Sequence, residues 1–355
     1  MKIKLKKIAL IFALFFVSII YTLLFPVKLG NELTFFVRST IETIDSSSDF
    51  TSDGFYVSDK EIGYFNISNS TMVYKQQAEG DNFIAGNALG YAVYSKYGDT
   101  VSLFTNKGIK ITDIKTTGYP FISEKYPIIY SLKSNGSGFT SNLFTGDTLI
   151  KEYSSNSMIT SISTDKFFNT AVSFSDGKAL LINKDGIVTL NTENLLSKVN
   201  VAKAVAIDDS GTYFSVITGI EPEIITVYDI VSKSIVGRYD TESDVRYSPL
   251  MRIHNETVYF ESEKGIVYFS IKKQVFNSFY YPGELQEFVL SNDGSTLILS
   301  KNNALFFLYV YNNRGIITYR CEFSDLVSNI NFIDNDSFYL KLNDTIVIYS
   351  IKVGS

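Results

Sequence analysis

The stretch EFVLSNDGSTLILSKN, residues 287–302, places an Asp-Gly pair between two apolar runs. A carboxylate on a loop could serve as a general acid or base, but Asp followed by Gly is also the usual sequence of a tight hairpin turn. Because Asp bonds its own backbone and Gly accepts a positive φ, the flanking runs favour a turn. Other carboxylates also lie at expected turns: Asp176-Gly177, Asp185-Gly186, Asp208-Asp209, Asp293-Gly294, Asp334 and Asp336.

The chain has one histidine and one cysteine, which limits the chemistry that it can perform. A single cysteine, Cys321, excludes an internal disulfide and any structural zinc site that needs several cysteines. A catalytic triad that uses histidine would need His254. Its neighbourhood, LMRIHNETVYF, predicts a turn between two strands, so we expect an ordinary loop histidine.

No other catalytic or binding motif is present in the sequence. There is no Walker A loop, no nucleophile elbow and no Gly-x-Gly-x-x-Gly that opens a helix. No loop supplies the alternating oxygen ligands and distal glutamate of a calcium site. The 37 acidic residues could form carboxylate pairs in many ways, so they do not indicate a glycosidase. The sequence therefore predicts no catalytic, cofactor-binding or metal-binding residues, no cofactor and no enzyme activity.

The amino terminus combines a basic segment with a long apolar stretch. MKIKLKK precedes twenty uncharged residues, 8–27, of which fourteen are Leu, Ile, Phe or Val. As a helix at about 1.5 Å per residue, this stretch can span a hydrocarbon core of ~30 Å. A cleaved signal peptide is the alternative, but TLLFPVKLGNEL offers no small-residue cleavage site, and a lipoprotein cysteine is absent. We expect an uncleaved transmembrane signal anchor.

The distribution of charge predicts the topology of the chain. Four lysines before the apolar stretch predict a cytoplasmic amino terminus and a body outside the cytoplasm, in the periplasm of a bacterium. From residue 29 onward, 27 basic residues stand against 37 acidic ones, which argues against nucleic-acid binding. The predicted organisation is a cytoplasmic segment 1–7, an anchor 8–27, a juxtamembrane linker 28–45 and a folded domain 46–355.

From about residue 50 the chain is a series of strand-like runs separated by Gly, Asn, Asp and Ser. FVLSNDGSTLILS resembles AVAIDDSGTYFSV, NINFIDNDSFYLKL and LMRIHNETVYFES, with weaker copies elsewhere. The copies recur with a period of about 40 residues, and two more strand-like runs follow each hairpin. The turns that anchor the units are at Asp53, Asn87, Glu124, Asp165, Asp208, His254, Asn292 and Asp334.

Four strands in about forty residues are typical of a β-propeller blade. The predicted fold is therefore all-β, a propeller of about eight four-stranded blades behind one transmembrane helix. Seven blades are the alternative, if the unit at Asp53 merges with the last unit. Residues 326–353 supply only three strands, so we expect a closing strand from residues 32–43 or from just after Ser48. For residues 28–49 the periodicity permits both a helix and a strand.

The repeat resembles the WD40 and PQQ-like propeller superfamily over roughly residues 46–353. The Trp-Asp and Gly-His signatures of WD40 repeats are missing, so the resemblance implies a fold and no WD40 partner. Quinoprotein dehydrogenases use tryptophan docking motifs, and this chain has no Trp. Sialidase-like propellers carry Ser-x-Asp-x-Gly-x-Thr-Trp boxes and an arginine triad, which SNDGST and the few arginines do not match. The pattern is also similar to the propeller of the outer-membrane protein assembly machinery, which is a lipoprotein.

These observations favour a membrane-anchored, extracytoplasmic scaffold that binds unknown envelope or periplasmic proteins and has no enzymatic activity. One alternative is a propeller hydrolase or lyase that acts on envelope polysaccharide, and it requires carboxylates that converge with Tyr or Arg on the central channel. Another is a ligand-binding sensor module, although about seven cytoplasmic residues are too few for an output domain.

Overall fold

The structure of the chain is a computed structural model. It describes residues 33–43, 51–116, 120–132, 138–142, 144, 146–153, 157–193, 197–241, 245, 248–263 and 265–353. The anchor predicted at 8–27 lies outside these residues, and within them no helix is both long and apolar enough to cross a bilayer. Contacts divide the chain into two compact units, Val37–Ser350 and a second that combines Met1–Phe36 with Ile351–Ser355. The larger unit contains nearly all of the strands.

The described residues form 31 strands in eight sheets, numbered here in chain order. Within each sheet, strands that follow one another in the chain pair antiparallel, with short turns between them, and the described residues contain no helix. Sheet 1 comprises β2 (Gly54–Val57), β3 (Glu61–Asn66) and β4 (Thr71–Gln77). Sheet 2 comprises β5 (Asn82–Asn87), β6 (Gly90–Ser95), β7 (Thr100–Thr105) and β8 (Lys110–Lys115). Sheet 3 comprises β9 (Pro120–Ile122), β10 (Ile128–Leu132), β11 (Gly138–Asn142) and β12 (Thr148–Tyr153). Sheet 4 comprises β13 (Ile159–Thr164), β14 (Thr170–Phe174), β15 (Lys178–Ile182) and β16 (Val188–Glu193).

The second half of the chain continues the same pattern. Sheet 5 comprises β17 (Val199–Ile207), β18 (Tyr213–Ile220), β19 (Ile224–Asp229) and β20 (Ser234–Asp240). Sheet 6 comprises β21 (Met251–His254), β22 (Thr257–Ser262), β23 (Gly265–Ser270) and β24 (Val275–Phe279). Sheet 7 comprises β25 (Glu284–Leu290), β26 (Thr296–Asn302), β27 (Leu305–Tyr311) and β28 (Ile317–Phe323). Sheet 8 comprises β29 (Val327–Asp334), β30 (Ser337–Leu342), β31 (Thr345–Val353) and β1 (Leu33–Glu42).

Sheet 8 is completed by a strand from the other end of the chain. Its order is β1, β31, β30, β29, so β1 is the fourth and outermost strand. The amide N–H of Thr43, just after β1, donates to the carbonyl oxygen of Asp344 at 3.0 Å, and the Thr43 hydroxyl donates to the same oxygen at 2.7 Å. The prediction that residues 32–43 close the ring is confirmed, and of the two conformations left open for this segment the structure has the strand.

The number of blades depends on how sheet 1 is counted. Seven sheets in the described residues have the four strands of a complete blade, which matches the alternative prediction of seven. Sheet 1 has three strands and is separate from sheet 8, which brings the number of sheets to eight. Residues 44–50, which precede sheet 1, lie outside the described residues.

The hairpin at residues 284–302 shows why the repeated turn has its sequence. The Ser291 amide donates to the Ser295 carbonyl oxygen at 2.9 Å, and Oδ1 of Asp293 accepts the Ser295 amide at 3.0 Å. Gly294 has a φ of 89°, which a residue with a Cβ adopts only with strain. Burial raises the pKa of Asp293, but hydrogen bonds from Ser291 and Ser295 outweigh it and hold the pKa below its usual value. The carboxylate at the opening Asp-Gly pair is a turn residue.

The hydrophobic core lies between the sheets, since its clusters join consecutive sheets. Val227 of sheet 5 packs in one cluster with Phe260 and Phe269 of sheet 6, and all three are buried. At the closure, Ile346 of sheet 8 shares a cluster with Phe65 of sheet 1. Burying such a side chain stabilises the fold by roughly 1.5–3 kcal/mol. A lone sheet would leave these faces in water, so the sheets stabilise one another.

Two rims follow from the connections between strands. The hairpin rim carries the turns from first to second and from third to fourth strand of sheets 2–7. The crossover rim carries the turns from second to third strand and the connections between sheets. The turn between β2 and β3 also lies on the crossover rim, because the Lys60 carbonyl oxygen accepts the amide of Ala78, in the connection from sheet 1 to sheet 2.

Candidate functional site

A charged pair crosses the centre of the ring at the hairpin rim. Glu124 lies in the turn between β9 and β10 of sheet 3, and Arg252 lies on β21 of sheet 6. The guanidinium donates twice to the carboxylate, from Nη1 to Oε2 at 2.7 Å and from Nη2 to Oε1 at 2.9 Å. First strands of neighbouring sheets contact one another around the centre. Because sheets 3 and 6 are not neighbours, this bidentate pair spans the central channel.

A second bridge joins sheet 3 to sheet 5. Lys125 Nζ lies 2.6 Å from Oδ2 of Asp209, and the Tyr126 hydroxyl donates to Oδ1 of the same carboxylate at 3.1 Å. Burial raises the pKa of Tyr126, and the Asp209 carboxylate raises it further, so the phenol keeps its proton. Asn87 of sheet 2 fixes the turn, because its Nδ2 donates to the carbonyl oxygens of Ser123 and Tyr126 at 2.7 and 3.0 Å.

Glu287 of sheet 7 adds a carboxyl group with an altered pKa. It lies on β25, is half-buried, and its Oε2 accepts the amide N–H of Ile330 at 3.1 Å. Burial raises its pKa to about 7, and the carboxylate of Glu124 adds to the rise, whereas the Ile330 amide and the Arg252 guanidinium oppose it. The group therefore changes charge near neutral pH.

Together these side chains form the channel cluster, made of Glu124, Lys125, Tyr126, Asp209, Arg252 and Glu287. Three carboxyl groups thus lie in one cluster with a Tyr and an Arg, which are the residue types expected above for a propeller hydrolase or lyase. Most of their polar atoms are already paired, since Arg252 holds Glu124 and Lys125 holds Asp209. The arrangement joins sheets 3, 5 and 6, and Glu287 adds a carboxyl group whose pKa is raised to about 7.

The crossover rim holds a cavity of about 510 Å³ between sheets 1 and 8. The carboxylate of Glu61 lies beside this cavity, 3.1 Å from Lys75 Nζ and 3.3 Å from Lys341 Nζ. It also accepts a hydrogen bond from Nε2 of Gln77 at 3.0 Å. Burial raises the pKa of Glu61, but these donors outweigh it and lower the pKa to about 2. The cavity is lined by Ser58, Lys60, Glu61, Gln77, Ala78, Gly80 and Lys341.

Large apolar side chains stand exposed on the same crossover rim. Tyr97 is 86% exposed in the turn between β6 and β7, and Tyr280 is 70% exposed in the connection from sheet 6 to sheet 7. Exposed apolar groups grouped on one face are typical of interaction surfaces. The exposed set on this rim is Tyr97, Met158, Val199, Leu250, Tyr280 and Leu326.

A family model described as "beta-propeller protein" matches residues 1–354. The chain belongs to this β-propeller family. The match agrees with the sheet topology, in which consecutive antiparallel sheets share their cores. No curated protein matches the sequence of this propeller.

Solved structures resemble the propeller in fold. BamB from Moraxella catarrhalis is 11% identical, with 89% of this chain and 100% of that chain covered, and a TM-score of 0.61. The computationally designed Ika8 protein is 13% identical, with 86% and 98% covered and a TM-score of 0.63. At these identities the likeness concerns the fold alone, and it agrees with the propeller expected from the repeat.

The two reactive side-chain types that occur once each in the sequence, His254 and Cys321, lie on strands of the propeller. His254 ends β21, and its Nε2 lies 2.9 Å from Nδ2 of Asn255 and 3.3 Å from the Asn292 carbonyl oxygen in the next sheet. Cys321 lies on β28 as a free thiol. In the described part of the propeller, no group of three or more His, Cys, Asp or Glu residues is arranged to hold a metal ion.

The channel cluster was not predicted from the sequence. Glu124 stood out only as the anchor of a turn, and Arg252 only as one of a few arginines two residues before His254. The partners lie 128 residues apart, so no local spacing links them.

Proposed function

We propose that this propeller is a non-enzymatic scaffold that binds a protein partner through its crossover rim. An amino-terminal anchor at residues 8–27 would hold it on the periplasmic side of a bacterial inner membrane. The observation that carries the proposal is the group of exposed apolar side chains around that rim, from Tyr97 to Leu326, next to a polar cavity. Aromatic and apolar anchors beside a pocket are the usual centre of a protein interface.

The paired state of the channel cluster supports a scaffold. The bidentate contact between Arg252 and Glu124 joins sheets 3 and 6, so the charged atoms of both groups are already paired within the protein. The charge pattern of the sequence supports the orientation, because four lysines precede the apolar stretch and a single lysine, Lys28, directly follows it.

Site-specific photo-cross-linking in cells tests the proposal. A benzophenone amino acid replaces Tyr97 or Tyr280 on the crossover rim, and Phe167 on the hairpin rim serves as a matched control, since it is 51% exposed. We expect a discrete adduct from position 97 or 280, identified by mass spectrometry and absent at position 167. Equal adducts at all three positions, or none on the crossover rim, would count against the scaffold.

A second candidate function is an enzyme that cleaves envelope polysaccharide. Glu287, whose pKa is about 7, could donate or accept a proton near neutral pH beside Arg252. The test is release of sugar from isolated envelope polysaccharide by the wild type and by Glu287→Gln, with Glu284→Gln on the same strand as the control. Activity that Glu287→Gln removes and Glu284→Gln keeps would replace the scaffold with an enzyme.

A further inference from the structure

The hairpin rim repeats one surface pattern in five sheets. In sheets 2, 4, 5, 6 and 7, the turn from third to fourth strand carries an exposed Lys or Arg, with an exposed aliphatic residue two or three positions away. Sheet 3 lacks the cation in this turn and has an exposed Phe144 instead. The pairs are Lys107 and Ile109, Lys184 and Ile187, Lys233 and Val231, Lys273 and Val275, and Arg314 and Ile316.

These apolar side chains are not part of the core. Val231 is 84% exposed, Ile109 64% and Ile187 60%. A turn needs no aliphatic residue at these positions for its own geometry, because turn formation depends on Gly, Asn and Asp. Five repeats of the same exposed pair on one rim therefore point to an environment outside the chain that accepts both charge and apolar surface.

The five cations are available to bind anions. None of Lys107, Lys184, Lys233, Lys273 and Arg314 forms a salt bridge to a carboxylate of the described residues. In the turns from third to fourth strand of sheets 2–7, residues 106–109, 143–147, 183–187, 230–233, 271–274 and 312–316, six Lys or Arg residues stand against two acidic residues, Asp147 and Asp185. The outer edge of this rim is thus locally basic on an otherwise acidic body.

The chain enters the propeller on this same rim. The end of β1 lies beside the start of β31, because the Thr43 amide donates to Asp344, so these two strands are antiparallel. The turn at Asp344 belongs to the crossover rim, and Val37, six residues before Thr43 along β1, therefore lies toward the hairpin rim. Residues 28–32 separate the expected anchor from β1, and fully extended they span at most ~18 Å.

We propose that the hairpin rim lies against the anionic lipid surface of the membrane that holds the anchor. The exposed aliphatic side chains of the five turns enter the headgroup layer, and the neighbouring Lys and Arg bind lipid phosphates. Basic residues beside apolar ones on one face are the usual composition of a surface that binds anionic membranes. This inference rests on the proposed anchorage, and it directs the crossover rim toward partners away from the membrane.

Depth-dependent quenching in proteoliposomes tests the orientation. The full chain carries Cys321→Ser and a single reporter cysteine, at Ile316→Cys on the hairpin rim or at Tyr97→Cys on the crossover rim, labelled with an environment-sensitive dye. The vesicles contain spin-labelled lipid with either phosphatidylglycerol or phosphatidylcholine. We expect quenching at position 316 in phosphatidylglycerol vesicles, none at position 97, and release of position 316 at high salt.

A matched pair of charge variants tests the mechanism. Because each cation near an anionic surface strengthens binding about fivefold, removing three should lower the ratio of docked to undocked protein roughly a hundredfold. The variant on the hairpin rim is K184Q/K233Q/K273Q, and the control on the crossover rim is K96Q/K178Q/K198Q.

The outcomes separate this inference from the proposed function. Equal quenching at positions 316 and 97, equal quenching in neutral vesicles, or equal loss in both triple variants would overturn docking by the hairpin rim while anchorage stands. If alkaline extraction releases the chain from the vesicles, the anchorage fails. Flotation of that released chain with phosphatidylglycerol vesicles then tests docking by itself. Docking stands if the released chain binds these vesicles and K184Q/K233Q/K273Q abolishes the binding, and it fails otherwise.

Discussion

The buried pair between Lys203 and Glu223 offers the sharpest test of how this fold is held together. Nζ of Lys203, on β17, lies 2.6 Å from Oε2 of Glu223, and the two side chains are 5% and 0% exposed. The ammonium also donates to the Val245 carbonyl oxygen at 2.6 Å, and Oε1 of Glu223 accepts the Thr241 hydroxyl at 2.9 Å. The pair thus links sheet 5 to the segment that leads into sheet 6.

Lys203→Met is expected to lower the free energy of unfolding by about 3–5 kcal/mol, because it removes the ammonium that lies 2.6 Å from the buried Glu223 carboxylate. The double variant Lys203→Met with Glu223→Leu should recover more than half of that loss, since it removes both charges. A double-mutant cycle from urea unfolding, followed by tyrosine fluorescence because the chain has no Trp, measures the coupling between the two residues.

The same turn supplies the control. Lys198 and Glu221 also lie 2.6 Å apart, but their side chains are 76% and 61% exposed. Lys198→Met should leave the urea midpoint unchanged, because water screens an exposed pair. If Lys198→Met destabilises the protein as much as Lys203→Met, then burial does not set the strength of these pairs and our reasoning is wrong.

Three further predictions concern single carboxyl groups. The Glu287 pKa is about 7 in the folded chain and 4.5 in the unfolded chain, so the folded chain binds more protons between these pH values. Its free energy of unfolding should therefore fall by at most about 3 kcal/mol as the pH rises from 4.5 to 7. Glu287→Gln should flatten that fall in urea titrations across pH. The Glu61 pKa is about 2 when folded, so its stabilisation, at most about 3 kcal/mol, should be lost as pH drops from 4.5 toward 2, and Glu61→Gln should remove this acid sensitivity. Asp293→Asn should cost less than about 0.5 kcal/mol in thermal unfolding and leave partner binding unchanged, because Asn keeps the oxygen that accepts the Ser295 amide.

Each of these predictions has an outcome that contradicts it. Glu284→Gln, exposed on the same strand, is the control for Glu287 and should leave the pH profile as it is. A rise of wild-type stability from pH 4.5 to 7 that Glu287→Gln abolishes would place the Glu287 pKa below its usual value. An unchanged acid limb in Glu61→Gln would mean that other carboxylates cause acid unfolding. Loss of partner binding in folded Asp293→Asn would make that turn a functional site.

Several parts of the fold follow from local sequence. The apolar runs and the Asn-Asp-Gly turn at 291–294 predict the hairpin of β25 and β26, since side-chain alternation and turn chemistry act within a few residues. The three strands left in 326–353 predict a partner strand from the other terminus, which the structure provides as β1. The anchor at 8–27 lies outside the described residues and stays a prediction.

The candidate sites depend on contacts that the sequence does not encode locally. Glu61 meets Lys341 across 280 residues of chain because sheets 1 and 8 are neighbours only after the ring closes. The two rims likewise appear only once strand direction is known, since Tyr97 and Lys107 lie ten residues apart on opposite rims.

The sequence by itself determined the all-β repeat, its turns and the need for a closing strand, because each depends on the pattern of neighbouring residues and on a count of strands. The structure decided between the two candidates for that strand, since β1 pairs with β31. Only the tertiary structure decided which charges meet. Glu124 and Arg252 pair across the channel although 128 residues of chain separate them, because the packing of the sheets brings sheets 3 and 6 within reach of a guanidinium. The raised pKa of Glu287 has the same origin, since burial between packed sheets, and not the residue's neighbours in the chain, removes its water.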